Sequence, residues 1–281
     1  MKSGFVALIG RSNVGKSTLL NALVGSKVAI TTPKAQTTRQ PVQGIITDDR
    51  GQIVFVDTPG VMQKARDPLT KRLSQFVKES LRGVNVVLYV VDPTRSIGNE
   101  EHEAMALVEH LNIPKYLIIN KIDEEIKPFI DSYRDFEKRF TGMLEISALR
   151  GHNLKALKDL LFEIMPEGEP YYPEYQLSNM PHELWLAELI REKLFLRLRE
   201  EVPYAVHVEV DAVEERPNDM TFISARILTN QPRYKRMIIG DKGHGVKEIG
   251  QSVRKELEGV MGRKVYLELT VEEDPNWVGR L

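Results

Sequence analysis

Gly10-Arg11-Ser12-Asn13-Val14-Gly15-Lys16-Ser17-Thr18 follows directly on the apolar run "FVALI". The spacing is that of a loop that holds a polyphosphate. Its glycines let backbone N–H groups wrap the phosphates, and the next helix turns its positive end toward them. Lys16 reaches the β- and γ-phosphates, and the Ser17 hydroxyl ligates Mg²⁺. A second apolar run, "IVFV", ends in Asp57-Thr58-Pro59-Gly60. Asp57 there can hold the metal through water, and the Gly60 N–H can meet the γ-phosphate. Asp-x-x-Gly alone is a common turn, and its distance from the phosphate loop is what makes it informative. The next residue, Val61, stands where many nucleotide hydrolases carry a glutamine that holds the attacking water. A valine holds no water, so the chain either does not hydrolyse or places the water by other means.

Asn120-Lys121-Ile122-Asp123 follows the apolar run "YLIIN". A carboxylate at Asp123 accepts two hydrogen bonds from guanine and would be left unpaired by adenine, a difference of roughly 10⁴ in affinity. Asn120 and the Lys121 stem brace the loop and pack on the base. Ser147 and the Ala148 N–H come later in "EISALRG", the N–H placed for the guanine 6-oxo group. The four elements occur in one order and resemble the translation-factor-like GTPases. "PKAQTTR", Pro33 to Arg39, then reads as their first switch, with Thr38 at the Mg²⁺-binding threonine and Thr37 as the alternative.

The elements that must carry these residues are legible as well. From Gly4 to about Gly168, short apolar runs ("FVALI", "IVFV", "VNVVLYVV", "YLIIN", "LEIS") alternate with stretches of helical length. Uninterrupted Val/Ile/Leu runs are strands buried on both faces, so an α/β domain with a doubly wound, mostly parallel sheet is expected over 1–168. "PEGEPYYPEYQLSNMP" is rich in proline and polar residues and reads as a linker over 169–181. Over 182–281 the pattern predicts helix, strand, strand, then "MIIGDKG" as strand and glycine loop, then helix and strand, a smaller α+β domain.

Gly240-Asp241-Lys242-Gly243 has the G-x-x-G spacing with which KH domains clamp the backbone of single-stranded RNA. Arg233, Lys235, Arg236, Lys242 and Lys247 cluster near it. Two glycines three apart are common, and a charge cluster is ordinarily a solvated face, so the α-β-β-α-β order carries the reading toward a type II KH domain. Asp241 departs from the basic or neutral residue usual in such loops. Gly245 extends the turn.

Composition excludes several classes. The 281 residues are 42% hydrophobic and 28% charged, which is globular and gives about two domains. A net charge of -1 rules out a global field toward nucleic acid, so any RNA binding must be local. The absence of cysteine excludes disulfides and thiolate metal sites. "MKSGFVALIG" is too short an apolar run for a signal peptide, and no apolar run reaches 18 residues, which together predict a cytoplasmic protein. His102 and His110 lack a third ligand. Trp185 and Phe195 fit a helix core, and Tyr171, Tyr172 and Tyr175 fit packing of the linker better than base stacking.

Across nearly its whole length the chain resembles the Era family of bacterial GTPases with a C-terminal KH domain, through "KAQTTR", "FVDTPG", "EGEPYYPE", "IREKLF", "EEVPYAV", "IIGDKG" and "KEIGQ". Ser12 departs from it, standing where the family has proline. The resemblance implies a GTPase that uses Mg²⁺ and binds the 3′ end of small-subunit ribosomal RNA during small ribosomal subunit assembly, with GTP gating the binding. It implies a monomer, with peripheral association at the inner face of the cell membrane. The nucleotide would touch Gly10 to Thr18, Asp57 to Val61, Asn120 to Asp123, Ser147 and Ala148. Ser17, Thr38 and Asp57 would hold the metal, and Lys16, Asn13, Thr38 and Gly60 would serve catalysis. In related GTPases an asparagine at the position of Asn13 helps hold K⁺, and the bland alternative is that it only caps the loop. Two other functions compete: a nucleotide-sensing KH module that does not hydrolyse, kept open by Val61, and a kinase, opposed by the guanine motif.

Overall fold

A computed structural model describes residues 1–34, 37–61, 68–217 and 219–280. Ala35 and Gln36 of the expected first switch lie outside the described residues. The chain divides into two compact units, Met1–Thr31 with Thr38–Asn179 and Thr32–Thr37 with Met180–Leu281.

In the first unit β1 (Lys2–Ile9), β3 (Gly51–Asp57), β4 (Val86–Val91), β5 (Lys115–Ile119) and β6 (Gly142–Glu145) are parallel. β2 (Val42–Asp48) pairs antiparallel with β3, and the order is β2-β3-β1-β4-β5-β6. Every residue of β3 and β4 is buried, as strands covered on both faces must be. The helices are α1 (Lys16–Val24), α2 (Pro68–Ser80), α3 (Asn99–Glu109), α4 (Ile130–Arg134) and α5 (Leu154–Ile164). β1 sits between β3 and β4, so the strand order reverses at β1. The crevice beyond its carboxyl end is the place where such sheets bind ligands, and the phosphate loop lies there. The apolar runs did not reveal β2, whose Gln43 and Gly44 interrupt its pattern at the sheet edge.

The proline-rich segment read as a linker runs along that edge. Gln52 is fully buried. Its Oε1 accepts from the Tyr171 and Tyr172 N–H groups at 2.8 and 2.9 Å, and its Nε2 donates to the Tyr172 carbonyl at 2.8 Å. The Ile45 N–H donates to the Leu177 carbonyl at 2.9 Å, and Gly44 bridges Ser178. The Tyr171 ring packs on Phe5, and the Tyr172 hydroxyl donates to Gln43, while Tyr175 is exposed.

The second unit contains α6 (His182–Arg197), β7 (Val206–Arg216), β8 (Met220–Thr229), α7 (Pro232–Ile239), α8 (His244–Met261) and β9 (Lys264–Glu273). β8 is central, antiparallel to β7 and parallel to β9. One expectation is corrected. "MII" before the glycine loop is not a strand but the end of helix α7, giving α-β-β-α-α-β. Pro232 opens that helix, and Tyr234 and Ile238 are buried four residues apart while Met237 is exposed. That is the helical period; a strand would bury alternate residues. Leu186 and Ile190 of α6 and Ile249, Val253 and Leu257 of α8 form the core with Ile223, Ala225 and Ile227 of β8. Phe195 is fully buried, Trp185 packs at the core's margin, and Trp277 is buried with its ring stacked 5.6 Å from His207.

Candidate functional site

Gly10 to Gly15 turn the chain from β1 into α1, and Lys16 is the first residue of that helix. The Lys16 ammonium is buried and donates to the carbonyls of Gly10 at 3.0 Å and Arg11 at 2.8 Å. Burial lowers its pKa to about 8, against the opposing pull of Asp57 and Glu101. Asn13 takes a left-handed conformation, φ 65°, which asparagine tolerates better than most residues, and its side chain is exposed.

Asp57 ends β3 and is fully buried. Its Oδ2 accepts from Ser17 Oγ at 2.5 Å and from Thr38 Oγ1 at 3.3 Å, and the two hydroxyl oxygens are 3.0 Å apart. Asp57 Oδ1 is buried with no hydrogen-bond partner. Burial raises the Asp57 pKa, against Lys16, Ser17 and Thr38. Two hydroxyls and one carboxylate, one of whose oxygens is unpartnered, form an all-oxygen set. That suits Mg²⁺, which keeps few protein ligands. The geometry separates the two threonines. Thr37 Oγ1 bonds Thr32 Oγ1 at 2.7 Å and the Lys34 carbonyl at 2.8 Å, and Thr38 joins the oxygen cluster.

Beyond Asp57, Thr58 is buried and donates its hydroxyl to the Leu8 carbonyl at 2.7 Å, so its side chain braces the strand end. Pro59 carries the turn to Gly60. A Cβ at Gly60 would lie 2.6 Å from both the Cα and the N of Ser12, a clash with backbone that admits only glycine. Val61 N–H donates to the Gly10 carbonyl at 3.1 Å, and its side chain belongs to the apolar cluster of Ile9, Val77, Val84 and Tyr89. The valine is a core residue.

The base end is built from the ends of β5 and β6. Asn120 Nδ2 donates to the Val14 carbonyl and its Oδ1 accepts from the Ala148 N–H, each at 2.9 Å, so one side chain ties the phosphate loop to the later loop. The Ala148 N–H, expected at the guanine 6-oxo group, is thus held at the base end by Asn120. Asp123 is held below the usual carboxylate range, first by the Ser147 hydroxyl and further by Arg150 and His152. Ser147 is fully buried. The Ile122 N–H donates to the Ile146 carbonyl at 3.2 Å, and Lys121 Nζ lies 2.5 Å from Asp92 Oδ2 at the end of β4. Thr18 is half-buried on α1. Asp92 carries no motif, so the sequence did not single it out.

In the second unit the glycine loop joins α7 to α8 with positive φ at Gly240 (73°), Lys242 (48°) and Gly243 (79°). A Cβ on Gly240 would come within 2.8 Å of the Gly245 nitrogen, so Gly245, already in α8, permits a close crossing and does not merely lengthen the turn. Arg236, Asp241, Lys242 and Lys247 are exposed and Lys235 is half-buried. Arg233 is engaged by Glu201 and stacks 4.9 Å over Tyr234. A groove of about 260 Å³ lies between Val246, Lys247, Gly250, Gln251 and Arg254 of α8 and Leu267 and Leu269 of β9. Only Lys247 was picked from sequence. The spacing 246/247, 250, 254 along one helical face was the available signal.

A family model described as 50S ribosome-binding GTPase matches residues 5–121, and one described as KH domain matches residues 201–278. GTPase Era of Halothermothrix orenii is 43% identical over 279 residues, covering 98% of this chain and 94% of that protein. GTPase Era of Thermoanaerobacter pseudethanolicus is 40% identical over 285 residues, covering 98% and 92%. The crystal structure of Era in complex with MgGDPNP and nucleotides 1506–1542 of 16S ribosomal RNA covers 100% of this chain and 96% of its own, at 39% identity and a TM-score of 0.93. The crystal structure of a tyrosine-to-alanine variant of Aquifex aeolicus Era bound to GDP and AlF₄⁻ gives the same values.

Proposed function

The chain belongs to the Era family of GTPases, and on that premise we propose that it hydrolyses GTP to GDP and phosphate and binds the 3′ end of small-subunit ribosomal RNA through its KH domain. The observation that carries the reading is the convergence of Ser17, Thr38 and Asp57 on one buried oxygen cluster beside Lys16.

Ser17 and Thr38 would give their hydroxyl oxygens to Mg²⁺ and Asp57 would hold it through water, and the chemistry such a metal would supply is charge neutralisation on the phosphates. Lys16 exchanges the Gly10 and Arg11 carbonyls for phosphate oxygens, which are stronger, anionic acceptors. The Gly60 N–H is the donor for the γ-phosphate. Asp123, kept ionised by Ser147, takes the guanine N1–H and 2-amino groups. Val61 points into the core, so the attacking water is placed by backbone and by exclusion, and Asn13 would be the residue helping to hold a K⁺ that supplies charge beside the phosphates.

The glycine loop clamps the RNA backbone, with Lys242, Lys247, Arg236 and Lys235 as the basic side chains, and the α8–β9 groove receives bases on the apolar stems of Leu267 and Leu269. The family resemblance supports a monomer of the cytoplasm that acts in small-subunit assembly and visits the inner face of the membrane. No helix among the described residues is long and apolar enough to cross a membrane. The test is single-turnover GTP hydrolysis with and without an RNA of the small-subunit 3′ end, with a large-subunit RNA as competitor. Mg²⁺-dependent turnover and selective retention of the small-subunit RNA are expected. GTP bound but never cleaved, or equal retention of both RNAs, would overturn the reading.

A further inference from the structure

The phosphate loop contains an arginine, and its side chain does not face the phosphate site. Arg11 Nη1 donates to the Ser96 carbonyl at 2.9 Å and lies 3.4 Å from Glu101 Oε2, while its Nε donates to Glu100 Oε2 at 3.2 Å. Glu101 is fully buried at the start of α3. Its carboxylate accepts the hydroxyl of Tyr133 at 2.8 Å and that of Tyr89. Three donors from the phosphate loop, β4 and α4 therefore meet on one carboxylate. From the same segment Arg95 Nη1 donates to the Ser12 carbonyl at 2.7 Å.

A buried carboxylate is costly unless fully paired, and removing one partner of such a set leaves a strongly destabilised charge. The arrangement persists only if it contributes something that a leucine in its place would not. Arg11 is the link. Its backbone carbonyl accepts the Lys16 ammonium, and its N–H lies in the loop that wraps the phosphates. Fixing its side chain fixes that peptide. Arg11 also keeps its charge although burial alone would lower its pKa, because Glu101 and Glu100 outweigh the burial.

We propose that Glu101 is a positioning residue for GTP hydrolysis, holding the Arg11 peptide of the phosphate loop in register through the Arg11 guanidinium, with Tyr89 and Tyr133 fixing the carboxylate. Arg11 is thereby kept from serving as an arginine finger. The inference rests on the GTPase reading, and wild-type turnover in the same assay separates a failure of that reading from a failure of this one.

The test is steady-state and single-turnover GTP hydrolysis well below the melting temperature, with GDP release followed in parallel. Glu101→Gln keeps the shape and removes the charge, and it should lower turnover at saturating GTP about tenfold, because aligned loop donors matter most in the transition state. Tyr133→Phe should lower it less, in the same direction. Arg11→Lys should retain part of the rate that Arg11→Ala loses. Adding Glu101→Gln to Arg11→Ala should cost no further turnover, since the carboxylate acts through the guanidinium. Full turnover in a folded Glu101→Gln protein, or additive losses in the double variant, would overturn the proposal. If Glu101→Gln does not fold, Tyr133→Phe and the two Arg11 variants decide: wild-type turnover in all three overturns it, and the graded loss supports it.

Discussion

The nucleotide site and the KH loop hold their functional residues in opposite ways. In the first unit the central side chains, Asn13 and the half-buried Asp123 apart, are buried and tied to each other: Asp57, Ser147 and Asn120 are at most 2% exposed, and each has a partner in another element. In the second unit the loop is a backbone turn whose side chains face solvent. A site of the first kind should fail sharply and locally when one group changes. A site of the second kind should respond gradually to charge and salt, because phosphate contacts add in small increments.

The sharpest test of that contrast is Asp123→Asn. It replaces a carboxylate that accepts two donors from guanine by an amide that can accept only one. GTP affinity should fall by roughly 10³ or more, and xanthosine triphosphate should become the better ligand. Equal binding of GTP and ATP by the unaltered protein would remove the guanine assignment.

On the other side, Lys242→Asp should weaken binding of a short single-stranded RNA by about 10²-fold and leave GTP affinity unchanged. It sets a second carboxylate beside Asp241, facing phosphate. Asp241→Lys should tighten binding and steepen the salt dependence by about one unit of slope. RNA affinity insensitive to both changes would place the clamp elsewhere. Alkali cations probe the first unit again. Turnover in KCl should exceed that in NaCl at equal ionic strength by about tenfold, and Asn13→Ala should remove the difference. Identical rates in the two salts would assign Asn13 to capping alone.

Proton linkage gives a smaller, continuous effect. The Lys16 ammonium, with its pKa lowered to about 8 by burial, loses its proton in the nucleotide-free protein as pH rises through that value. Bound phosphates favour the ammonium, so nucleotide affinity should fall above pH 8, by at most about tenfold per unit. Stability of the nucleotide-free protein should move oppositely. Between about 8 and 10.5 the unfolded lysine still binds its proton and the folded one does not, so stability rises with pH across that window. A pH-independent affinity between 7 and 9, measured by calorimetry, would show that Lys16 stays charged throughout.

The same contrast explains what could be read without coordinates. Gly10, Lys16, Asp57, Asn120 and Asp123 sit at the ends of buried strands, where spacing along the chain fixes position in space. The partners of those residues carry no such signal: Asp92, Glu101, Tyr89 and Tyr133 lie on other elements and meet the loops only through the sheet order. In the second unit the error came from "MII", three apolar residues in a row that suit a buried strand and a helix end equally. Only Pro232 and the Tyr234/Ile238 spacing decide for the helix. The α8–β9 groove was only partly signalled: the 246/247, 250, 254 spacing marks its α8 wall, but Leu267 and Leu269 belong to β9, which meets α8 only in the fold.

The least disruptive change should be Val61→Ala, although this valine occupies the position where a glutamine would be decisive. The side chain is 9% exposed and packs with Ile9, Val77, Val84 and Tyr89, away from any role in holding water. Its N–H, which donates to the Gly10 carbonyl, is kept by alanine. Removing two buried methyl groups should cost roughly 2 kcal/mol. For a unit of this size that corresponds to about 4–8 °C in melting temperature. Turnover at saturating GTP should stay within about threefold of the unaltered protein, since no donor or acceptor beside the phosphates is lost. Measuring both quantities on one preparation decides the matter. A melting loss with near-normal turnover fits a core residue, whereas a loss of turnover beyond tenfold at unchanged melting temperature would mean that the valine itself shapes the water site.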